Sequence, residues 1–260
     1  MENDKWKMNM RLPKLFSIAV ISALITAASI FGYRALSKKE LPKKEIILLE
    51  SADKRIQSAQ SKISKFPDLP SGYNQLASVY MQIARETGDF SLNTKAEEAL
   101  KRALEIDANN YETLKLKTKL FLTFHRFQEA LNLAQELQKA HSQDHDIYGA
   151  LTDANIELGN YKEAVEAAQK MVDLKPNMAS YARVAQLRFL HGDNHGAIDA
   201  MRVAVRVADP NDKEAKAWCM VTLGDMLLKS GKYNEAEKEY DNSLSTFPDY
   251  YLTLSAKGRA

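Results

Sequence analysis

Along residues 49–66 the apolar positions are Leu49, Ala52, Ile56, Ala59, Ile63 and Phe66, separated by steps of three and four. That spacing keeps one face of a helix apolar and predicts a helix over 45–69 that packs on the repeats after it. Pro67 and Pro70 end it. A coiled-coil seam is the other use of such a stripe, but this one is under three heptads long. Beyond residue 70, helical runs come in pairs. The last pair reads "AWCMVTLGDMLLKS" and "NEAEKEYDNSLSTF", with Gly231 between the runs and Pro248 after them. The strings that open each second run are alike: "SGKYNEA" at 230–236, "LGNYKEA" at 158–164, "FHRFQEA" at 124–130 and "HGDNHGA" at 191–197. The alanine closing each string falls at Ala96, Ala130, Ala164, Ala197 and Ala236, in steps of 34, 34, 33 and 39. A period near 34 with two helical runs per period predicts an all-α solenoid of stacked helical hairpins.

Each recurring residue has a physical task. Glycine takes the left-handed conformation that ends the first helix (A) and reverses the chain. The bulky residue two positions later (Phe127, Tyr161, Tyr233) is expected to pack over that turn. Alanine opens the second helix (B) where it crosses A, and a second small residue faces it from A: Ala77, Thr118, Thr152, Ala185 and Gly224. Asn194 stands at the bulky position of the fourth unit and predicts a looser turn there.

This pattern resembles the tetratricopeptide repeat family. The fifth unit carries it most fully, with Leu223, Gly224, Gly231, Tyr233, Ala236, Tyr240 and Pro248. The third matches at Tyr148, Leu151, Gly159, Tyr161, Ala164 and Pro176, and the fourth at Tyr181, Ala185, Gly192, Ala197 and Ala204. In the second, Lys117, Thr118 and His125 replace the usual residues. The first matches at Tyr73, Leu76, Ala77, Tyr80, Ala96 and Ala103, with about seven extra residues around "ETGDFSLNTK" extending its internal turn. The units are placed at 70–110, 111–144, 145–177, 178–216 and 217–250, and "YYLTLSAKGRA" starts a further helix at 251–260. Solenoid ends need a polar outer cap. Tyr250, Leu252 and Leu254 are unsuited to one, which leaves packing on a partner, a fragment or an unusual terminus.

The resemblance implies a right-handed superhelix with the A helices lining its concave face. Repeat position then assigns Asn74 and Ser78 to that lining in the first unit, Lys115 and Lys119 in the second, and Asp153 and Ile156 in the third. Arg183, Gln186 and Phe189 follow in the fourth, and Trp218, Thr222 and Asp225 in the fifth. Lys115, Lys119 and Arg183 suit an acidic group; Asp153 and Asp225 suit basic ones. Some family members hold chaperone C-terminal carboxylates with a Lys, Asn, Asn, Lys, Arg set. The corresponding residues here are Lys115, Lys119, Ala150, Ala179 and Arg183, of which the first and last agree, so that mode is disfavoured.

The N-terminal segment is of another kind. "LFSIAVISALITAASIFGY" runs from Leu15 to Tyr33 without a charge. As a helix it would be roughly 28 Å long, close to the hydrocarbon thickness of a bilayer. It reads as a single-pass signal-anchor, with 1–14 a basic tail and 34–44 a linker; a cleaved secretory signal with "TAAS" at 26–29 is the alternative. Four basic residues precede the run and five follow it, so the positive-inside count is nearly tied. The short tail favours an extracytoplasmic repeat domain. Charge divides the same way. Of 36 Lys/Arg and 34 Asp/Glu, nine and three lie in 1–44, leaving 27 basic and 31 acidic residues, net −4, in 45–260. That part has no electrostatic footprint for nucleic acid.

Chemistry is sparse. Cys219 is the sole cysteine, which rules out an intrachain disulfide or a Cys-based zinc cage; it reads as a packed, inert thiol beside Trp218. His141 and His145, and His191 and His195, are four apart but fall in turns, and are read as solvated rather than metal-binding. A Gly-rich phosphate loop, a G-x-S-x-G elbow and an HExxH pair are all absent from the sequence. The expectation is therefore neither an enzyme nor a cofactor, metal or small-molecule binder. It is a membrane-anchored scaffold that takes a peptide or partner protein on its concave face, by analogy in envelope assembly. The alternative is a self-associating assembly protein whose C-terminal end stacks on another copy. Candidate partner-binding residues are Asn74, Lys115, Lys119, Asp153, Arg183, Gln186, Phe189, Trp218 and Asp225.

Overall fold

The computed structural model describes residues 43–260, with side chains from 51 onward. The expected tail, membrane helix and nearly all of the linker (residues 1–42) lie outside the described residues. Among the described residues no helix is long and apolar enough to cross a membrane. The chain divides into two units, 1–51 and 52–260.

The described residues form twelve helices and no strand. The first, α1 (Lys43–Lys65), continues from the boundary into the repeat unit. The stripe read from the sequence buries Ala52 and Ala59, whereas Phe66, past the helix end, is exposed. Gly72 lets α1 approach α2 (Pro70–Thr87) closely: a Cβ there would lie 2.8 Å from the Ile63 side chain. Arg55, midway along α1, grips Glu86 in the last turn of α2 with both terminal guanidinium nitrogens at 2.9 and 2.5 Å.

Five hairpins follow: α2 with α3 (Leu92–Ile106), α4 (Tyr111–Thr123) with α5 (Phe127–Ala140), α6 (His145–Glu157) with α7 (Tyr161–Leu174), α8 (Met178–Leu190) with α9 (Asn194–Val207), and α10 (Lys213–Lys229) with α11 (Tyr233–Thr246). The short α12 (Tyr251–Lys257) packs on α10 and α11. Gly159, Gly192 and Gly231 have φ of 79°, 82° and 75°, the left-handed region in which glycine carries no steric penalty. In each of these turns the next amide reaches back five residues, as from Lys232 to the Leu227 carbonyl at 2.9 Å. His125 replaces glycine in the α4–α5 turn and is held at φ 56° with the same bond, Arg126 to Phe121 at 2.8 Å.

The A and B helices start differently. Four A helices follow open connections and have side-chain caps: Asn110, Asp144, Asn177 and Asp212 each accept from an amide of the first turn. The B helices α5, α7 and α11 leave directly from a tight turn and carry no side-chain cap. The turn of the fourth unit, expected to be looser because of Asn194, closes with the same left-handed glycine and backbone bond as the others, and there Asp193 accepts from Gly196 N and caps α9.

The crossings are as tight as the small residues require. Ala96, Ala130, Ala164, Ala197 and Ala236 are all fully buried, and so are Ala77, Thr152 and Ala185 opposite. The hydroxyls of Thr118 and Thr152 return to the carbonyls of Leu114 and Tyr148, so neither buries an unpaired polar group. Tyr161 and Tyr233 do not pack over their turns as expected: they are 46% and 66% exposed, and the Tyr161 ring stands edge-on to His191 in the next unit's turn. The glycine turn is closed by backbone bonds and needs no aromatic lid.

Candidate functional site

The stack has an inner side. The A helices of the first four units touch in turn, α2 with α4, α4 with α6 and α6 with α8, whereas α8 with α10, and consecutive B helices, make no comparable contact. Elements close on one side and splayed on the other curve a stack, and the A helices line the hollow.

Residues on that lining mostly face one another. Asn74 donates to Asn110 Oδ1 at 3.2 Å and accepts from Thr113 Oγ1 at 2.8 Å, tying the first unit to the second. Lys115 Nζ lies 2.9 Å from Asp144 and 3.2 Å from Glu112, while Tyr111 donates to the same Asp144 oxygen at 2.6 Å. Lys119 is 3.8 Å from Asp146. Arg183 clasps Asp153 through Nε at 2.8 Å and Nη2 at 2.5 Å, and donates further to the carbonyls of Gly149 and Ala179. Asp225 accepts from the Tyr240 hydroxyl at 2.7 Å and lies 3.7 Å from Arg259. The three cations read as free for an acidic ligand thus face acids at the adjacent A helix, Asp153 is the acid that holds Arg183, and Asp225 is held instead by Tyr240 of its own hairpin and by Arg259.

The electrostatics agree. Burial alone would raise the Asp144 carboxyl; hydrogen bonds from Tyr111, Lys115 and the Asp146 amide overcome this and hold its pKa down to about 2. Burial draws the Lys115 ammonium pKa down, and the hydrogen bond and charge of Asp144 reverse this, so the net direction is up. The same acids explain why the carboxyl–imidazole group Asp144, His145 and Asp146, whose ligand atoms lie within 4.8 Å of one another, is not an open cation site. The Lys115 ammonium already occupies it, and His141 stacks on the Tyr111 ring instead, 3.7 Å between centroids.

Three of the sequence candidates are left to meet a ligand. Gln186 is exposed and, among the described residues, makes no side-chain hydrogen bond. Trp218 is 39% exposed with no ring partner among the described residues, and half-buried Phe189 offers a ring over which Lys229 Nζ sits at 5.5 Å. Two larger clefts, about 600 and 560 Å³, open against α3 instead, lined by Tyr73, Leu76 and Tyr80 in one and Leu104, Leu120 and Phe121 in the other. None of the candidates lines either cleft.

Cys219 is buried, and burial, with Glu214 and Asp212 adding to it, pushes its thiol up to about 12. It stays protonated and unreactive in the folded chain. Sequence reasoning missed Asp144 and Asp146 as partners of the groove cations. The available signal was spacing: Asp144 is 29 residues beyond Lys115 and Arg183 is 30 beyond Asp153, just short of one period.

Comparison with known proteins fits this geometry. Residues 119–179 match the family model described as tetratricopeptide repeat. Over 158 residues, 60% of the chain, the sequence is 26% identical to Protein O-mannosyl-transferase TMTC1 of Homo sapiens. The chain spans 18% of that protein's length, and the activity in its name is said of that protein alone. Among solved structures, the chain is similar to a tetratricopeptide repeat protein from Parabacteroides merdae, with a TM-score of 0.64 at 14% identity over 93% of each chain. It is also similar to a thermophilic TPR protein of Thermus thermophilus, with a TM-score of 0.59 at 17% identity over 70% of this chain and 97% of that one. At such identities the likeness is one of fold.

Proposed function

Starting from an all-α, helical-hairpin solenoid of the tetratricopeptide type, we propose that this chain is a protein-interaction scaffold whose inner face takes an extended segment of another polypeptide. The observation that carries the reading is the distribution of satisfied and unsatisfied groups along the A helices. Lys115, Arg183 and Asp153 are spent on neighbouring units and Asp225 on Tyr240 of its own hairpin, whereas Trp218, Gln186 and the Phe189 ring remain open. Such a lining selects an apolar or aromatic side chain with an amide to bond, rather than a carboxylate, because displacing an internal ion pair would strand its partner. Aromatic anchors in a curved groove are the usual carriers of binding energy.

The uncharged run 15–33 would anchor the chain as a single pass with the repeats on the extracytoplasmic side, raising the effective concentration for partners at that surface. Assistance in assembling an envelope complex is the setting this suggests. Extraction of membranes at high pH tests the anchor: the chain should stay with the lipid, and a variant lacking 1–33 should not.

Site-specific photocrosslinking from position 186 in intact membranes tests the groove. One polypeptide band should be captured, and Trp218→Ala should reduce it about tenfold, in line with a buried aromatic anchor. Capture unaffected by Trp218→Ala and equal from an outward position such as 237 would defeat the reading.

A further inference from the structure

The helices that pack extensively on one another belong to the same or adjacent units, but the first unit also touches the fifth and the helix after it. Arg85 Nε lies 3.3 Å from Glu214 Oε2, across 129 residues of sequence. The Glu214 carboxylate is almost fully buried, and its other oxygen accepts from the Tyr250 hydroxyl at 2.8 Å. Tyr250, 1% exposed, stands edge-on to Tyr251 at 5.6 Å between centroids. The Tyr251 ring in turn meets Phe90 edge-on at 6.3 Å and covers Gly88, where a Cβ would lie 3.5 Å from three ring atoms. Residues from the turn of the first hairpin thus touch the fifth unit and the helix beyond it.

Arg85 and Glu214 come from the two places where the chain departs from its own period. The extra residues of the first unit make α2 18 residues long, against 13 for α4, α6 and α8, and the added turn carries Arg85. The long 39-residue step between the fourth and fifth alanines gives α10 17 residues, and its added N-terminal turn carries Glu214. Neither extension is needed to stack neighbours, since three units pack without them. Both are needed to reach each other.

We propose that the two extensions form an intramolecular clasp that closes the superhelix on itself and gates access to its inner face. The regulatory half of this rests on the groove reading above. With the first and fifth units joined, a polypeptide reaches the lining only by threading past the rim or after the clasp opens. Trp218 lies one helical turn from Glu214 on the same side of α10, so the open anchor sits beside the gate. The clasp is built to open. Arg85 and Phe90 are each more than half exposed, and an ion pair with one solvated partner is weak and screened by salt. It also accounts for Tyr251, whose ring packs against Phe90 and Gly88 of the first hairpin.

Hydrogen exchange of the full-length chain, read by mass spectrometry, tests this without a partner, so that failed capture of a ligand and failure of the clasp remain distinct outcomes. Arg85→Glu combined with Phe90→Ala, both at exposed positions, should speed exchange in 251–257 about tenfold while leaving α5 to α8 unchanged. In a Trp6→Phe background the same pair should increase acrylamide quenching of Trp218. Arg85→Lys, which keeps the charge, should retain most of the protection. Exchange in 251–257 within twofold of the parent would overturn the clasp. If α5 to α8 also speed up in the double variant, Phe90→Ala alone decides by the same criterion.

Discussion

At the residue scale, the repeat rests on positions where one atom more or less is felt. Gly224 faces the fully buried Tyr240, whose ring would lie 2.5 Å from an added Cβ and whose hydroxyl is fixed on Asp225. The ring cannot swing away, so Gly224→Ala should destabilise by about 1–3 kcal/mol despite alanine's better helix propensity. Urea unfolding measures this, and pairing the change with Tyr240→Leu should cost less than the sum of the two single losses. His125 is the opposite case, a side chain where the turn asks for none. A left-handed non-glycine residue costs about 1–2 kcal/mol, and glycine's looser unfolded state gives back about 0.5–1 kcal/mol of that. His125→Gly should therefore stabilise by about 0.5–1 kcal/mol, less whatever its edge contact with Phe127 contributes. The Cys219 thiol, protonated and enclosed, should resist Ellman's reagent until the fifth unit unfolds.

At the scale of elements, helices A and B were legible because the code for them is local. Glycine, alanine and the facing small residue act within one hairpin, and their 34-residue spacing needs no knowledge of neighbours. What joins one hairpin to the next was less legible. Asp144 is the clearest instance: one carboxylate caps α6, accepts from Tyr111 of α4 and holds Lys115 of α4. Its pKa is depressed from 3.8 to about 2, so its stabilising effect is fully present above about pH 4 and is lost as pH falls toward 2. Because the site is partly solvated, the contribution is about 1 kcal/mol rather than the full value of the shift. Asp144→Asn should lower the stability of the α4–α6 junction by that amount at pH 6, and the difference from the parent should vanish near pH 2. Hydrogen exchange of α4 and α6 across that range is the measurement.

For the whole molecule, the inner face differs from the one repeat positions suggested. The lining positions were assigned by the family resemblance, but whether a lysine there is available depends on the acid one unit away, and three cations proved to be engaged. Reversing charge at Lys115, Lys119 and Arg183 would therefore loosen unit-to-unit packing before it tested any ligand. Truncating Trp218 or Gln186 breaks no internal bond and is the cleaner probe. A partner that depends on them should lose affinity with the chain's thermal stability unchanged; a parallel fall in stability would assign both residues to the fold instead.

The number of hairpins, their turns and their crossings follow from the order of residues along the chain, because each is settled by contacts within about 40 positions. Which charges are free on the inner face, and that Arg85 meets Glu214 from 129 residues away, follow from how the hairpins accumulate curvature. Curvature is a sum of small rotations over every stacked unit. No single stretch of sequence carries that sum, and it becomes visible only when the ends of the stack stand side by side.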